Sequence, residues 1–173
     1  SDKTLADMSE RDWRIFREDF DIRVQGGKPV PPLRYWKEAG IPAPVMKAID
    51  NLGYKDPSPI QRQAIPVGMA RRDIIGIAET GSGKTCAFLV PLLNYFLSLP
   101  EASQSRDSVA ENGPLGIIMA PTRELAQQID EEAVKLMLYT TFQSFCIVGG
   151  QDIEDQGAKL RNGVHLVTGT PGR

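Results

Sequence analysis

Cysteine and histidine are nearly missing from this chain, which has two of the first and one of the second in 173 residues. Cys86 and Cys146 lie far apart in apolar stretches, with no Cys-x-x-Cys spacing and no histidine cluster. That excludes a zinc site or a disulfide scaffold and suits a reduced, intracellular compartment. Both cysteines read as packing residues, and His165, inside an apolar run with no second ligand near it, reads as a packed histidine and not as a base. An excess of positive charge is also lacking: 20 Lys plus Arg stand against 22 Asp plus Glu, a net charge of −2. No global field recruits nucleic acid, so any polynucleotide contact must come from local geometry. No apolar run approaches the roughly 20 residues of a bilayer-spanning helix, and Ser1-Asp2-Lys3-Thr4 lacks the apolar stretch of a secretory leader. Membrane and export roles are therefore not expected.

What is present is an alternation. Residues 73–78, 115–120, 144–148 and 164–168 are short, continuous apolar runs, the pattern of strands buried on both faces of a parallel sheet. Helical stripes lie between them: Phe88, Leu92, Leu93 and Phe96, then Leu125, Ile129, Ala133 and Leu136. Strand and helix in turn predict a doubly wound α/β domain with ligands at the carboxyl ends of its strands. Upstream, Val45, Ala48, Ile49 and Leu52 form a stripe stopped by Gly53, and Asp56-Pro57-Ser58-Pro59 turns into a helix starting near Ser58. Residues 101–113, poor in apolar side chains, read as a mobile surface loop. Residues 1–34 read as a separate extension, a short helix capped by Ser9 followed by an extended strap, and 35–173 as the domain.

The strongest local signal is Ala78-Glu79-Thr80-Gly81-Ser82-Gly83-Lys84-Thr85, placed where a predicted strand ends and a predicted helix begins. Glycines let backbone N–H groups point at phosphate oxygens, and the helix start adds about half a positive charge. Lys84 is then placed for the β and γ phosphates and Thr85 for Mg²⁺, which makes these two the candidate catalytic residues. Ala78 stands where the usual spacing has its first glycine, and it is small enough for the same close approach.

Gln61 has two readings. With Ser58 as N-cap and Pro59 at the first helical position, it completes a capping box. Its carboxamide can also pair with adenine in a bidentate way, with Tyr54 and Trp36 as stacking aromatics.

Trp36 followed by Gly53-Tyr54-Lys55-Asp56-Pro57-Ser58-Pro59-Ile60-Gln61 resembles the Q motif of DEAD-box RNA helicases, and 78–85 resembles their motif I. Pro121-Thr122-Arg123-Glu124-Leu125-Ala126 is similar to motif Ia. Gly149-Gly150 with Gln156 and Leu160 is similar to the GG region, and Thr170-Pro171-Gly172-Arg173 to motif Ib. The resemblance covers residues 34–173. It implies a RecA-like P-loop NTPase domain truncated before the Asp-Glu-Ala-Asp motif, with ATP and Mg²⁺ as cofactors. It further implies that Trp36, Tyr54, Lys55 and Gln61, with Ala78, Glu79, Thr80, Gly81, Ser82, Gly83, Lys84 and Thr85, hold the nucleotide. For RNA, as single strand or short duplex, it implies backbone contacts from Pro121, Thr122, Arg123, Gly149, Gly150, Thr170, Pro171, Gly172 and Arg173, all on one rim with the phosphate loop. Within the family, residues 4–20 and 73–80 resemble the spliceosomal members that act at the 5′ splice site, which implies spliceosomal protein partners and a nuclear location, or otherwise a cytoplasmic one.

No apolar run here ends in Asp-Glu-Ala-Asp, and neither the water-orienting Glu nor a second RecA-like domain with its arginine finger is present. The expectation is the ATP-binding part of an ATP-dependent RNA helicase whose fragment alone turns over no ATP. The alternatives are a non-catalytic, nucleotide-dependent docking module in a large RNA–protein assembly, and an unrelated P-loop ATPase such as a DNA translocase. The Q-motif residues count against the last.

Overall fold

The computed structural model describes residues 2–149 and 152–172. The chain divides into two compact units, Ser1–Gly40 with Lys55–Pro91, and Ile41–Tyr54 with Leu92–Arg173. Residues 1–34, set apart by sequence, share a unit with 55–91.

In the first unit, helix α1 (Glu10–Asp19) begins as expected at Ser9. The Ser9 hydroxyl accepts the Asp12 N–H, and the Asp12 carboxylate accepts the Ser9 N–H. These bonds, with Lys3 at 3.0 Å, hold the Asp12 carboxyl down at about 2. Trp13 is the buried residue of α1, and Ile15 stays exposed. The strap passes through Leu33 and Arg34, both buried, into a 3₁₀ turn at Trp36–Glu38. Helix α3 (Pro59–Met69) follows, with Pro66 inside it. Helix α4 (Lys84–Ser98) carries Pro91 in its interior without ending there, and Phe88 of its expected stripe is exposed.

No strand forms over 73–78, contrary to the sequence pattern. A strand is a pairing, and this run has no ladder partner among the described residues. Ile75 and Ile77 are 93% and 90% exposed. The apolar pattern records a capacity to be buried, and burial needs a second strand.

The second unit holds the sheet. Strands β1 (Gly116–Met119), β2 (Ser144–Ile147) and β3 (Leu166–Gly169) lie in the order β1-β3-β2, all parallel, with Leu166 opposite both Gly116 and Ser144. Helix α6 (Arg123–Leu136) connects β1 to β2, and α7 (Ile153–Arg161) connects β2 to β3. Helix α2 (Ala43–Asn51), with Val45, Ala48 and Ile49 buried, packs against α6. Ala120, Ala126, Ile129 and Val148 form a core cluster at the top of the sheet. The central strand β3 is buried as expected, whereas β1 alternates, and Ile117 and Met119 are exposed.

The segment read as a mobile loop is folded. Residues 101–104 form a 3₁₀ turn and Arg106–Asn112 form α5, with Val109 buried. His165 accounts for the order. It is 1% exposed, its Nδ1 accepts the Gln143 N–H at 3.0 Å, and its Nε2 lies 2.7 Å from the Gln104 carbonyl. An Nδ1 that accepts leaves the proton on Nε2, so the neutral ring donates to Gln104 and pins the turn to the start of β3. Arg106 Nε donates to the Asn162 carbonyl at 2.9 Å. Next to it Gly163, at φ +94°, leaves room that a Cβ would lose, since that atom would sit 2.4 Å from the Arg106 carbonyl oxygen.

Candidate functional site

The first unit builds a phosphate-binding loop against α3. The loop spans 79–83, closed by a Ser82 N–H to Glu79 carbonyl bond of 3.2 Å, and delivers the chain into α4 at Lys84. The first N–H groups of a helix have no acceptor within it, and they carry the positive end of its dipole. Lys84 is exposed and makes no ion pair among the described residues. The Ser82 hydroxyl is buried without a hydrogen-bond partner, the state of a group that awaits one. This donor-rich, cationic turn fits a polyphosphate.

Gln61 is 6% exposed, and both of its readings find support in one geometry. Its Oε1 accepts the Ser58 N–H at 2.9 Å, which is half of the capping box, while the Ser58 hydroxyl makes no bond. Its Nε2 donates to the Gly83 carbonyl at 3.2 Å, an oxygen that also accepts the Ala87 N–H at 3.1 Å. A carboxamide has two donors and two acceptor positions. One of each is used, and one of each remains, the pair that adenine requires. Gly83 is constrained from both sides: its φ is +87°, and a Cβ there would lie 2.3 Å from Gln61 Nε2.

The two candidate stacking aromatics have different surroundings. Trp36 is 5% exposed, its indole N–H buried without a partner, so neither ring face is open. Tyr54 belongs to the second unit, where its hydroxyl donates to Glu132 at 2.7 Å. That bond draws the acidic run Asp130-Glu131-Glu132 partly out of solvent. Glu132 is half-buried, and burial raises the Asp130 carboxyl above its ordinary range. Lys55 is exposed. Burial and the Asp130 charge push the Cys146 thiol up, with Arg123 opposing, so Cys146 is a poor nucleophile, and Cys86 is buried.

In the second unit the carboxyl ends of the three strands form one rim. After β1 come Pro121, Thr122 and Arg123, all exposed, with the Thr122 hydroxyl capping α6 through the Leu125 N–H at 3.2 Å. After β2 comes Gly149, with open space where a Cβ would go. Gln156 ties α7 back to that strand end through a 3.0 Å bond to the Val148 carbonyl. After β3 come Thr170, Pro171 and Gly172, which border a largely apolar cavity of about 510 Å³. Gly150 and Arg173 lie outside the described residues. The two helix starts on this rim differ in charge. Helix α6 opens with Arg123, whereas α7 opens with Asp152, Glu154 and Asp155, which repel a phosphate. The phosphate loop, which follows the unpaired run 73–78, is not the end of one of these strands. Among the described residues no cluster of three metal-ligating side chains occurs, and no helix is long and apolar enough to cross a membrane.

Residues 58–173 match the DEAD/DEAH box helicase family. The chain is 52% identical over 171 residues to DEAD-box ATP-dependent RNA helicase 21 of Oryza sativa subsp. japonica, covering 99% of this chain and 23% of that protein. It is 52% identical over 173 residues to the pre-mRNA-splicing ATP-dependent RNA helicase PRP28 of Cryptococcus neoformans, covering all of this chain and again 23% of the relative. A crystal structure of the RNA helicase Prp28 from Chaetomium thermophilum bound to ADP superposes with a TM-score of 0.86 at 46% identity, over 100% of this chain and 41% of that one. The chain thus spans less than a quarter of the length of these two curated relatives. A phosphate loop entering α4, a glutamine-bearing helix beside it, and a parallel sheet with a polar rim match this family in sequence and in fold, and the chain belongs to the DEAD/DEAH box helicases.

Proposed function

We propose that this chain is the nucleotide-binding part of an ATP-dependent RNA helicase that acts in pre-mRNA splicing in the nucleus, with spliceosomal proteins as partners. The observation that carries the nucleotide reading is the Gln61 bridge, in which one carboxamide spans the α3 cap and the Gly83 carbonyl with a donor and an acceptor to spare. Gln61 reads adenine. The N–H groups of 81–85 bind the phosphates, Lys84 neutralises their charge and Thr85 supplies a hydroxyl to Mg²⁺. When bound, ATP would supply free energy for closing the helicase domains on RNA. Trp36 contributes packing within the first unit, and Tyr54 and Lys55 precede the turn into α3 in sequence. On the rim, Thr122, Arg123, Gly149, Thr170 and Gly172 hold RNA through its backbone, which needs hydroxyls and N–H groups more than net positive charge. The names of the relatives support splicing, since one of them is a pre-mRNA-splicing helicase.

The test uses the full-length protein. Lys84→Ala is expected to abolish RNA-stimulated ATP hydrolysis while leaving the helical circular-dichroism signal intact. Gln61→Ala is expected to reduce preference for ATP over GTP by about tenfold, the low end of a bidentate contact. Turnover retained in Lys84→Ala would refute the phosphate role.

A further inference from the structure

The sides of α3 that Gln61 leaves free carry contacts the nucleotide reading does not explain. Pro66 has no N–H, so the carbonyl four residues back, that of Arg62, loses its helical partner. The Leu33 N–H takes its place at 2.6 Å. The Arg62 side chain, 7% exposed, turns onto the same strap. Its Nη1 donates to the carbonyls of Arg34 at 2.5 Å and Leu33 at 3.4 Å. Its guanidinium lies 4.2 Å from the Phe20 ring centre and 5.6 Å from that of Phe16. Gln63 repeats the pattern. Its Nε2 donates to the Val30 carbonyl at 2.8 Å, and its Oε1 accepts Arg17 Nε at 2.8 Å, while Arg17 Nη2 donates to Val30 at 3.0 Å.

A leucine would fill the Arg62 site at a lower desolvation cost. What a guanidinium adds is direction, because a planar group held through Nη1 on fixed carbonyls and through its carbon over aromatic rings favours one orientation of the helix that bears it. Gln61, Arg62 and Gln63 are consecutive, so the orientation set on the strap side is the orientation Gln61 has on the loop side.

We infer that Arg62 is a positioning residue for adenine recognition: by locking α3 to the strap and to α1, it sets where the Gln61 carboxamide stands beside the phosphate loop. The inference rests on the reading of Gln61 as the adenine reader. The N-terminal segment is then a working part of the nucleotide site, and Arg17 supports it through Gln63.

The experiment measures ATP and GTP affinities of the full-length protein by competition against a fluorescent ADP. Arg62→Ala is expected to weaken ATP about tenfold and to leave GTP within about twofold, comparable with the loss of one bidentate contact. In a Gln61→Ala background it should add nothing, since the two changes remove the same interaction. Arg62→Lys should recover part of the loss. If Arg62→Ala does not fold, as judged by circular dichroism, Arg17→Ala reads the same effect, with an ATP-selective loss of about threefold expected at this more peripheral contact. Equal losses for ATP and GTP, or losses that add to those of Gln61→Ala, would overturn the positioning role. A discrimination that falls in Gln61→Ala but not in Arg62→Ala or Arg17→Ala removes the positioning role alone. Unchanged discrimination in Gln61→Ala removes the adenine reading and the positioning role with it.

Discussion

Around α3 polar groups are buried beside apolar Ala64 and Ile65: Arg34, Gln61, Arg62 and Gln63 all lie below 9% exposure, and the bonds of the last three reach backbone carbonyls or N–H groups. Around β3 the buried groups are apolar apart from His165 and Thr168, with Val164, Leu166 and Val167 in line and Phe142 packed on the His165 ring at 5.0 Å. The two regions use burial for different ends. Apolar burial supplies stability with little directional demand. A buried polar group adds little net stability but holds one geometry, because every alternative leaves it unsatisfied. In the polar region Gln61 meets the phosphate loop while Arg62 and Gln63 hold the strap, so the same helix is fixed from both sides.

The contrast predicts an order of effects. Leu166→Ala, in the fully buried central strand, should cost about 3–5 kcal/mol by denaturant unfolding, the range for a core cavity that cannot collapse. His165→Leu keeps the volume and strands the Gln104 carbonyl and the Gln143 N–H. Its expected cost is about 2–4 kcal/mol, with new protease cleavage within 101–113. A variant as stable as the parent would mean that packing alone orders that segment.

Smaller effects sharpen the comparison by removing a buried acceptor that has no hydrogen bond. Asp130 Oδ1 is buried with no partner, and the Ser144 hydroxyl nearby does not meet hydrogen-bond geometry with it. Burial, the largest cause, raises the Asp130 carboxyl, and the charge of Glu131 adds to it. A raised carboxyl binds its proton more tightly in the folded state, so its contribution is most favourable below its unfolded value of 3.8 and is lost as pH rises through the folded value. Asp130→Asn should therefore stabilise the protein at pH 7.5 by about 1 kcal/mol and gain nothing once the pH is below the unfolded value of 3.8, read as the difference in melting temperature between variant and parent. The smallest effect concerns Arg71, which ends α3 at φ +60° in a position that favours glycine. Arg71→Gly relieves left-handed strain of about 1 kcal/mol against the greater freedom of unfolded glycine and the loss of the side chain's own interaction, so a net change within about 0.5 kcal/mol of zero is expected.

Much of the site is local in sequence and was legible there. The phosphate loop needs only consecutive small residues before a helix, and the caps at Ser9 and Ser58 are contacts over three residues. Three of the four expected strands form, within about two residues of the expected ends. The two segments that depart from their sequence pattern do so for one reason. Residues 73–78 carry strand composition and form none, whereas 101–113 carry loop composition and fold, because the first lacks a partner and the second has one, 61 residues away, in His165. Trp36 shows the same limit. An aromatic side chain has the same composition whether it stacks a base or fills a core, and the core claimed Trp36.

What the sequence determined by itself is therefore the set of interactions closed within a few residues: the helix starts, the phosphate loop, the alternation that makes a parallel α/β unit and the family it belongs to. Tertiary structure alone decided where long-range polar partners met. Nothing local to Pro66 says that the carbonyl it frees will be taken by Leu33, or that Arg62 will lie against Phe20. Those contacts join residues roughly 30 to 40 positions apart. A hydrogen bond at that separation is specified by the path of the backbone between its ends, which depends on every element packed along it.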